Sequence, residues 1–278
     1  MTASRDEFAA LMAAPDSSLA RACLLMGLES DPDLDLDLSL GRLDALAEIV
    51  GAGLPGAASP AALGRHLRAT LGGDVGFAGS QADYEDLRSS LLHEVLVRRR
   101  GLPILLSAVW VEVAIRLDIP AYGVGLPGHF VVGLGDPERA GEPDIGPEAP
   151  FVLVDPFAGG APFPTASAYA LLGHEPSARD LRPWETPRTM LRILGNVSTW
   201  ARRSDRLRTR LWSLELSLLV PGCPPAVRRE HGETLARAGN FAGAADQLEA
   251  YAVRVEEDHP LAAKAARQDA RVARARLN

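Results

Sequence analysis

The sequence predicts an α+β protein: a buried helix and a small antiparallel sheet, with helical regions before and after them in the chain. Three observations predict it. Residues 103–117 are apolar nearly all round, with only Ser107, Glu112 and Arg116 polar, and a helix of that kind is covered on most sides. From Ala121 the apolar period changes to two, which gives strands at Tyr122–Leu126, His129–Leu134 and Phe151–Asp155. The stretches before residue 75 and after residue 183 carry helical spacing throughout. The chain therefore divides into an N-terminal helical region (1–75), a mixed core (76–182) and a C-terminal helical region (183–278).

In chain order, residues 3–14 read as a helix stopped at Pro15, and Asp16-Ser17-Ser18 offers caps for the next one. Asp31 to Leu38 alternates acid and leucine, but Pro32 and the helical spacing that follows make it a loop feeding a helix over 36–53. A third helix is expected over 60–71. Gly72, Gly73, Gly76 and Gly79 then loosen the chain before a helix over 86–99, whose closing Arg98–Arg100 complement its dipole. The segment 135–150, rich in Pro, Gly and acid, reads as an exposed loop. After Pro176, Pro183 and Pro187, helices are expected over 188–203, 205–219, 226–238, 241–257 and 261–277. Residues 233–251, with Gly239-Asn240 between two amphipathic stretches, have the spacing of one tetratricopeptide-type hairpin.

Composition narrows the function. At 278 residues, 23% charged and 47% apolar, the chain can build a sizeable core. A net charge of -7 argues against a sequence-independent nucleic-acid binder. Two cysteines, Cys23 and Cys223, are too few for a disulfide framework and fit a reducing compartment. The N-terminus has no signal-peptide pattern and no apolar run is long enough for a membrane span, so a cytoplasmic location is expected. No phosphate loop follows a strand, and His66, His174, His231 and His259 lack metal-ligand spacing, so neither cofactor nor metal is expected.

The chemistry-bearing residues are His129 and Asp155, at the ends of adjacent expected strands, where a carboxylate can orient an imidazole. Their order fits a nucleophile–His–Asp arrangement with the nucleophile at the start of the preceding buried helix. A cysteine there would be activated by the helix dipole and the imidazolium. Pro103, Ser107, Glu112, Gly128 and Phe130 complete a candidate cleft. His129 and Asp155 read equally as a structural hydrogen-bonded pair, and Ser107, Glu112, His93 and Cys23 have plainer readings too. A mid-helix Ser107 back-bonds to a carbonyl one turn earlier. Glu112 pairs with Arg116 or with an arginine of 98–100. His93 is a surface or supporting residue, and Cys23 packs in a core.

The chain resembles the SirB1 family. The matching stretches are PDLDLDLSLGRLDALA (32–47), VGFAG (75–79), DYEDLRSSLLHEVL (83–96), RRRGLPILLS (98–107), PGHFVV (127–132) and VDPFAGG (154–160). They occur in family order, and the resemblance covers residues 15–258. It implies a papain/transglutaminase-like core followed by tetratricopeptide-like helices. It also implies that the catalytic-cysteine position of active relatives falls on Pro103, with His129 and Asp155 at the other two triad positions. Ser89 stands where the family usually has Asn, His93 where Asn or Asp is usual, and Leu105 where Ser is common. The expected function is peptide or protein binding without a thiol nucleophile. The alternatives are a hydrolase or acyl transferase in which His129 acts as base, and a helical scaffold.

Overall fold

The computed structural model describes residues 3–15, 17–56, 58–139 and 149–277. They fall into two compact units, one of residues 17–189 and one of the described part of 1–16 together with 190–278.

The first unit is built on a four-stranded antiparallel meander, β1 (Ala121–Leu126), β2 (His129–Gly135), β3 (Phe151–Asp155) and β4 (Ala161–Pro162), in that spatial order. The register is set by a two-residue turn at Pro127-Gly128, so that Leu126 faces His129 and Val124 faces Val131. Gly128 has φ of +69°, a conformation that glycine adopts without a Cβ clash. Because strand side chains alternate, the sheet has two unlike faces. Val124, Leu126, Val131, Leu153 and Phe163 pack on one face with Ala168 of α7 (Thr165–Leu172). On the other face Phe130 meets Trp184 edge-on, with ring centroids 5.6 Å apart.

The expected buried helix is α6 (Pro103–Ile115). Pro103 occupies its first turn, where the missing amide hydrogen costs no internal bond. Its residues 103–110 and 112–114 are buried, while Ile115 is exposed. Around it lie α2 (Leu19–Gly27), α3 (Leu36–Gly51) and α5 (Leu92–Arg98), while α4 (Pro60–Leu67) packs on β2 and β3. The acid–leucine stretch is a loop that ends in the cap of α3, where Asp35 Oδ1 accepts from the Leu38 amide at 2.9 Å.

Four expectations need correction. The helix over 86–99 is two pieces, a 3₁₀ turn at Leu87–Ser90 and α5, because Ser89 is drawn into bonds with Asp83 and the Leu102 amide. The helix over 60–71 ends at Leu67 and continues as a π-helical segment, Arg68–Asp74. Gly72 and Gly79 are packing positions, not loose ones: a Cβ on Gly72 would stand 2.0 Å from the Gly159 carbonyl oxygen, and one on Gly79 would strike the Phe157 ring. α7 and β4 were not anticipated. The exposed loop expected over 135–150 lies mostly outside the described residues.

The second unit contains α1 (Ala3–Ala13), α9 (Leu207–Leu219), α10 (Pro225–Arg237), α11 (Phe241–Val255) and α12 (Pro260–Ala275). It also takes in α8 (Thr186–Arg203) from Met190 onward. Arg5 of α1 pairs with Glu215 of α9 at 2.8 Å. Gly239, at φ +79°, and Asn240, which caps Gly243, make the expected turn between α10 and α11. Ala263, Ala266, Ala270 and Ala273 form the buried stripe of α12, which explains the alanine–arginine spacing of that segment. Among the described residues no helix is long and apolar enough to cross a membrane.

Candidate functional site

At the end of β2 next to the turn, His129 Nε2 lies 2.8 Å from Asp155 Oδ2. The other carboxylate oxygen, Asp155 Oδ1, accepts from the Phe157 amide at 2.9 Å and so caps the 3₁₀ turn Pro156–Ala158. Asp155 is thus held from two sides, and its orientation is imposed on the imidazole. Phe163 stacks on the His129 ring at 5.8 Å and Phe157 meets it edge-on at 6.2 Å. The pair is not sealed, since the two side chains are 17% and 14% exposed. An imidazole oriented by a carboxylate and still reached by solvent can exchange a proton or hold a hydrogen-bonding ligand.

Pro103, the position implied for a nucleophile, supplies neither a nucleophilic atom nor an amide hydrogen. The turn leading into it is well fixed: Leu102 donates its amide to Ser89 O at 2.9 Å, and Gly79, which packs on Phe157, donates to Phe157 O at 2.9 Å. Phe157 therefore connects the glycine segment before α5 with the His129 ring. Cys23 is fully buried in α2, where burial and the Glu112 carboxylate push its thiol far up. Cys223 belongs to the other unit.

The arginines of 98–100 shape the approach to α6. Arg98 pairs with Asp86 at 3.0 Å, and Arg100 reaches Ser80 Oγ at 2.6 Å and Asp83 at 3.3 Å. Arg99 turns the chain at φ +57° and donates to Val75 O. Burial opposes ionisation of Asp83, but hydrogen bonds from Ser80, Arg100 and Ser89 outweigh it and hold the carboxyl below its usual range.

The remaining candidates do not join this pair. Ser107 donates to Phe130 O at 3.3 Å, tying α6 to β2 rather than back-bonding within the helix. Glu112 accepts from the Ala20 amide at 2.9 Å and from Arg116 at 2.8 Å, and Arg116 also reaches Asp44. That is the structural ion pair expected at i+4, with the cap of α2 added. Ser107, Glu112 and Phe130 instead border a separate cavity of about 310 Å³ between α6, β1 and Trp184. Alternation along β2 turns Phe130 away from the face that carries His129 and Val131. The candidate cleft is thus two places, with Gly128 serving the turn beside the first. His93 is buried, not superficial: its ring packs against Gly27, its Nδ1 has no hydrogen-bond partner among the described residues, and burial lowers its affinity for a proton. Trp184 was missed in sequence. The glycines at 123 and 125, opposite Phe130 and beneath Trp184, were the available signal. Among the described residues no group of three His, Cys, Asp or Glu side chains is placed to hold a metal.

The chain is similar in sequence to known proteins. A family model described as the transglutaminase-like superfamily matches residues 39–195. A UPF0162 protein of Xylella fastidiosa (strain Temecula1) is 32% identical over 247 residues, covering 84% of this chain and 82% of the relative. A UPF0162 protein of Pseudomonas aeruginosa is 33% identical over 129 residues, 46% of this chain and 47% of the relative. Human F-box only protein 21 is 25% identical over 127 residues, 46% of this chain and 20% of that protein. No solved structure matches the chain.

Proposed function

The chain belongs to the transglutaminase-like superfamily and to the UPF0162 family, and from that premise we propose that it works by binding a peptide or protein segment at His129 and Asp155, without a thiol nucleophile. The observation that supports this most is the 2.8 Å His129–Asp155 bond, largely buried but still reached by solvent, with a proline at the head of the buried helix. The stretches Arg98–Ser107 and Pro127–Val132 support the narrower placement in the SirB1 family. An extended segment laid over the sheet end would find the partly exposed Phe157 for an apolar side chain and the imidazole for a backbone or side-chain hydrogen bond. The α10–α11 hairpin, read as tetratricopeptide-like, supplies a further docking surface in this account.

The test is selection of peptides from a random display library on the wild-type chain, followed by binding of the selected peptides to His129→Ala. The reading expects the selected set to lose binding to the variant. Equal binding leaves the pair without a ligand role. A second reading, a hydrolase or acyl transferase in which His129 activates water or substrate, is favoured by the same oriented imidazole. Turnover of a selected peptide by wild type but not by His129→Ala would decide for it.

A further inference from the structure

The cavity beside α6 has a chemical polarity of its own. Its lining includes Ser107, Ala108, Val111, Glu112 and Ile115, one face of α6 running from position 107 to 115, or about 12 Å along the helix. Across from them stand Phe130, Trp184 and the hydroxyls of Thr186 and Thr189. Three hydroxyl hydrogens in this lining are already given to backbone carbonyls: Ser107 to Phe130 O, Thr186 to Ser17 O at 2.7 Å, and Thr189 to Glu185 O at 3.1 Å. Those oxygens keep only lone pairs to offer. Glu112 is acceptor-only when ionised, and each carboxylate oxygen retains capacity beyond the Ala20 and Arg116 bonds. Arg116 is shared between Glu112 and Asp44, so the three groups together keep one net negative charge. Ser17, Ser18 and Tyr122 also line the cavity and can donate, so the acceptor character is concentrated at Glu112 and the three committed hydroxyls, with aromatic and apolar surface completing the lining.

We infer that this cavity is a second ligand site that takes a small organic ammonium ion with an apolar body. The ammonium donates to Glu112, where a charge-assisted bond is stronger than a neutral one. The body lies along Ala108 and Val111 toward the rings of Phe130 and Trp184. A carboxylate of the same shape meets the like charge of Glu112, and an alcohol supplies one donor without charge. The inference does not depend on a ligand at His129, since neither member of that pair lines the cavity.

The test is calorimetric titration of the full chain with hexylamine, hexanol and hexanoate at one pH near neutrality. Saturable binding of hexylamine, roughly tenfold or more tighter than either analogue, is expected. Absence of saturable hexylamine binding overturns the inference, as does equal binding of hexanoate or hexanol. Val111→Trp, at a partly exposed lining position, fills the trough and should abolish the signal; unchanged affinity contradicts the site. Glu112→Gln should erase the preference for the ammonium. Because that variant also touches the cap of α2, the ligand comparison on wild type and the Val111→Trp result stand independently of it.

Discussion

Asp155 divides its two oxygens between the His129 imidazole and the Phe157 amide, at 2.8 and 2.9 Å. One residue thus orients the ring and caps the turn that carries Phe157 against it. The two tasks separate by substitution. Asp155→Asn keeps an acceptor for the Phe157 amide, whereas Asp155→Ala removes it. Urea denaturation should show the alanine variant about 1 kcal/mol less stable than the asparagine variant. Equal stabilities would mean that the cap contributes nothing.

Pro103 heads a buried helix whose N-terminal end favours negative charge. A thiol placed there, as Pro103→Cys in a Cys223→Ser background, should ionise below the ordinary cysteine range of about 8.5. The buried Cys23 stays protonated throughout that range and does not obscure the titration. Thiolate absorbance against pH reads the effect. Adding His129→Ala should move the ionisation upward; a thiol indifferent to that change would separate Pro103 from the His129 site.

Glu112 holds the α2 amide of Ala20 and the guanidinium of Arg116 in a buried position. Glu112→Ala should cost about 3 kcal/mol, because the cap and the charge partner are lost together. Asp44, 63% exposed on the far side of the same arginine, should cost less than about 1 kcal/mol when changed to alanine. Thermal or urea unfolding of the two variants checks the ratio.

The sequence made the gross plan legible because that plan is local. Period and punctuation placed α6, three strands, the loop before α3 and the C-terminal helices within a few residues, and i+4 spacing paired Glu112 with Arg116. What it did not reveal depends on contacts distant in the chain. Ser107 finds its acceptor 23 residues away on β2. The break between Leu87–Ser90 and α5 follows from Ser89 being claimed by Asp83 and Leu102. The separation of His129 from Ser107, Glu112 and Phe130 follows from strand alternation combined with which face α6 covers. Trp184, arriving after a proline-rich stretch, has no local pattern that announces a place against β1.

His93 carries the pH prediction. Burial lowers its proton affinity below the ordinary value of 6.5, with Glu94 and Asp31 opposing that shift and Arg42 adding to it. The unfolded chain therefore takes up a proton at a higher pH than the folded one. Its contribution to stability is complete above the unfolded value and is lost as pH falls through and below it. Urea stability of the wild type should decline from about pH 7 toward about pH 5, and His93→Phe should decline less. Parallel curves would assign the loss to other groups.

The central claim is that His129 and Asp155 act together as a ligand site. Its most direct measurement is the calorimetric affinity of one library-selected peptide for wild type, His129→Ala, Asp155→Asn and the double variant. The account predicts that each single change weakens binding about tenfold or more and that the double variant is little worse than either, as expected for two residues that work as one unit. Wild-type affinity in His129→Ala and Asp155→Asn would contradict it.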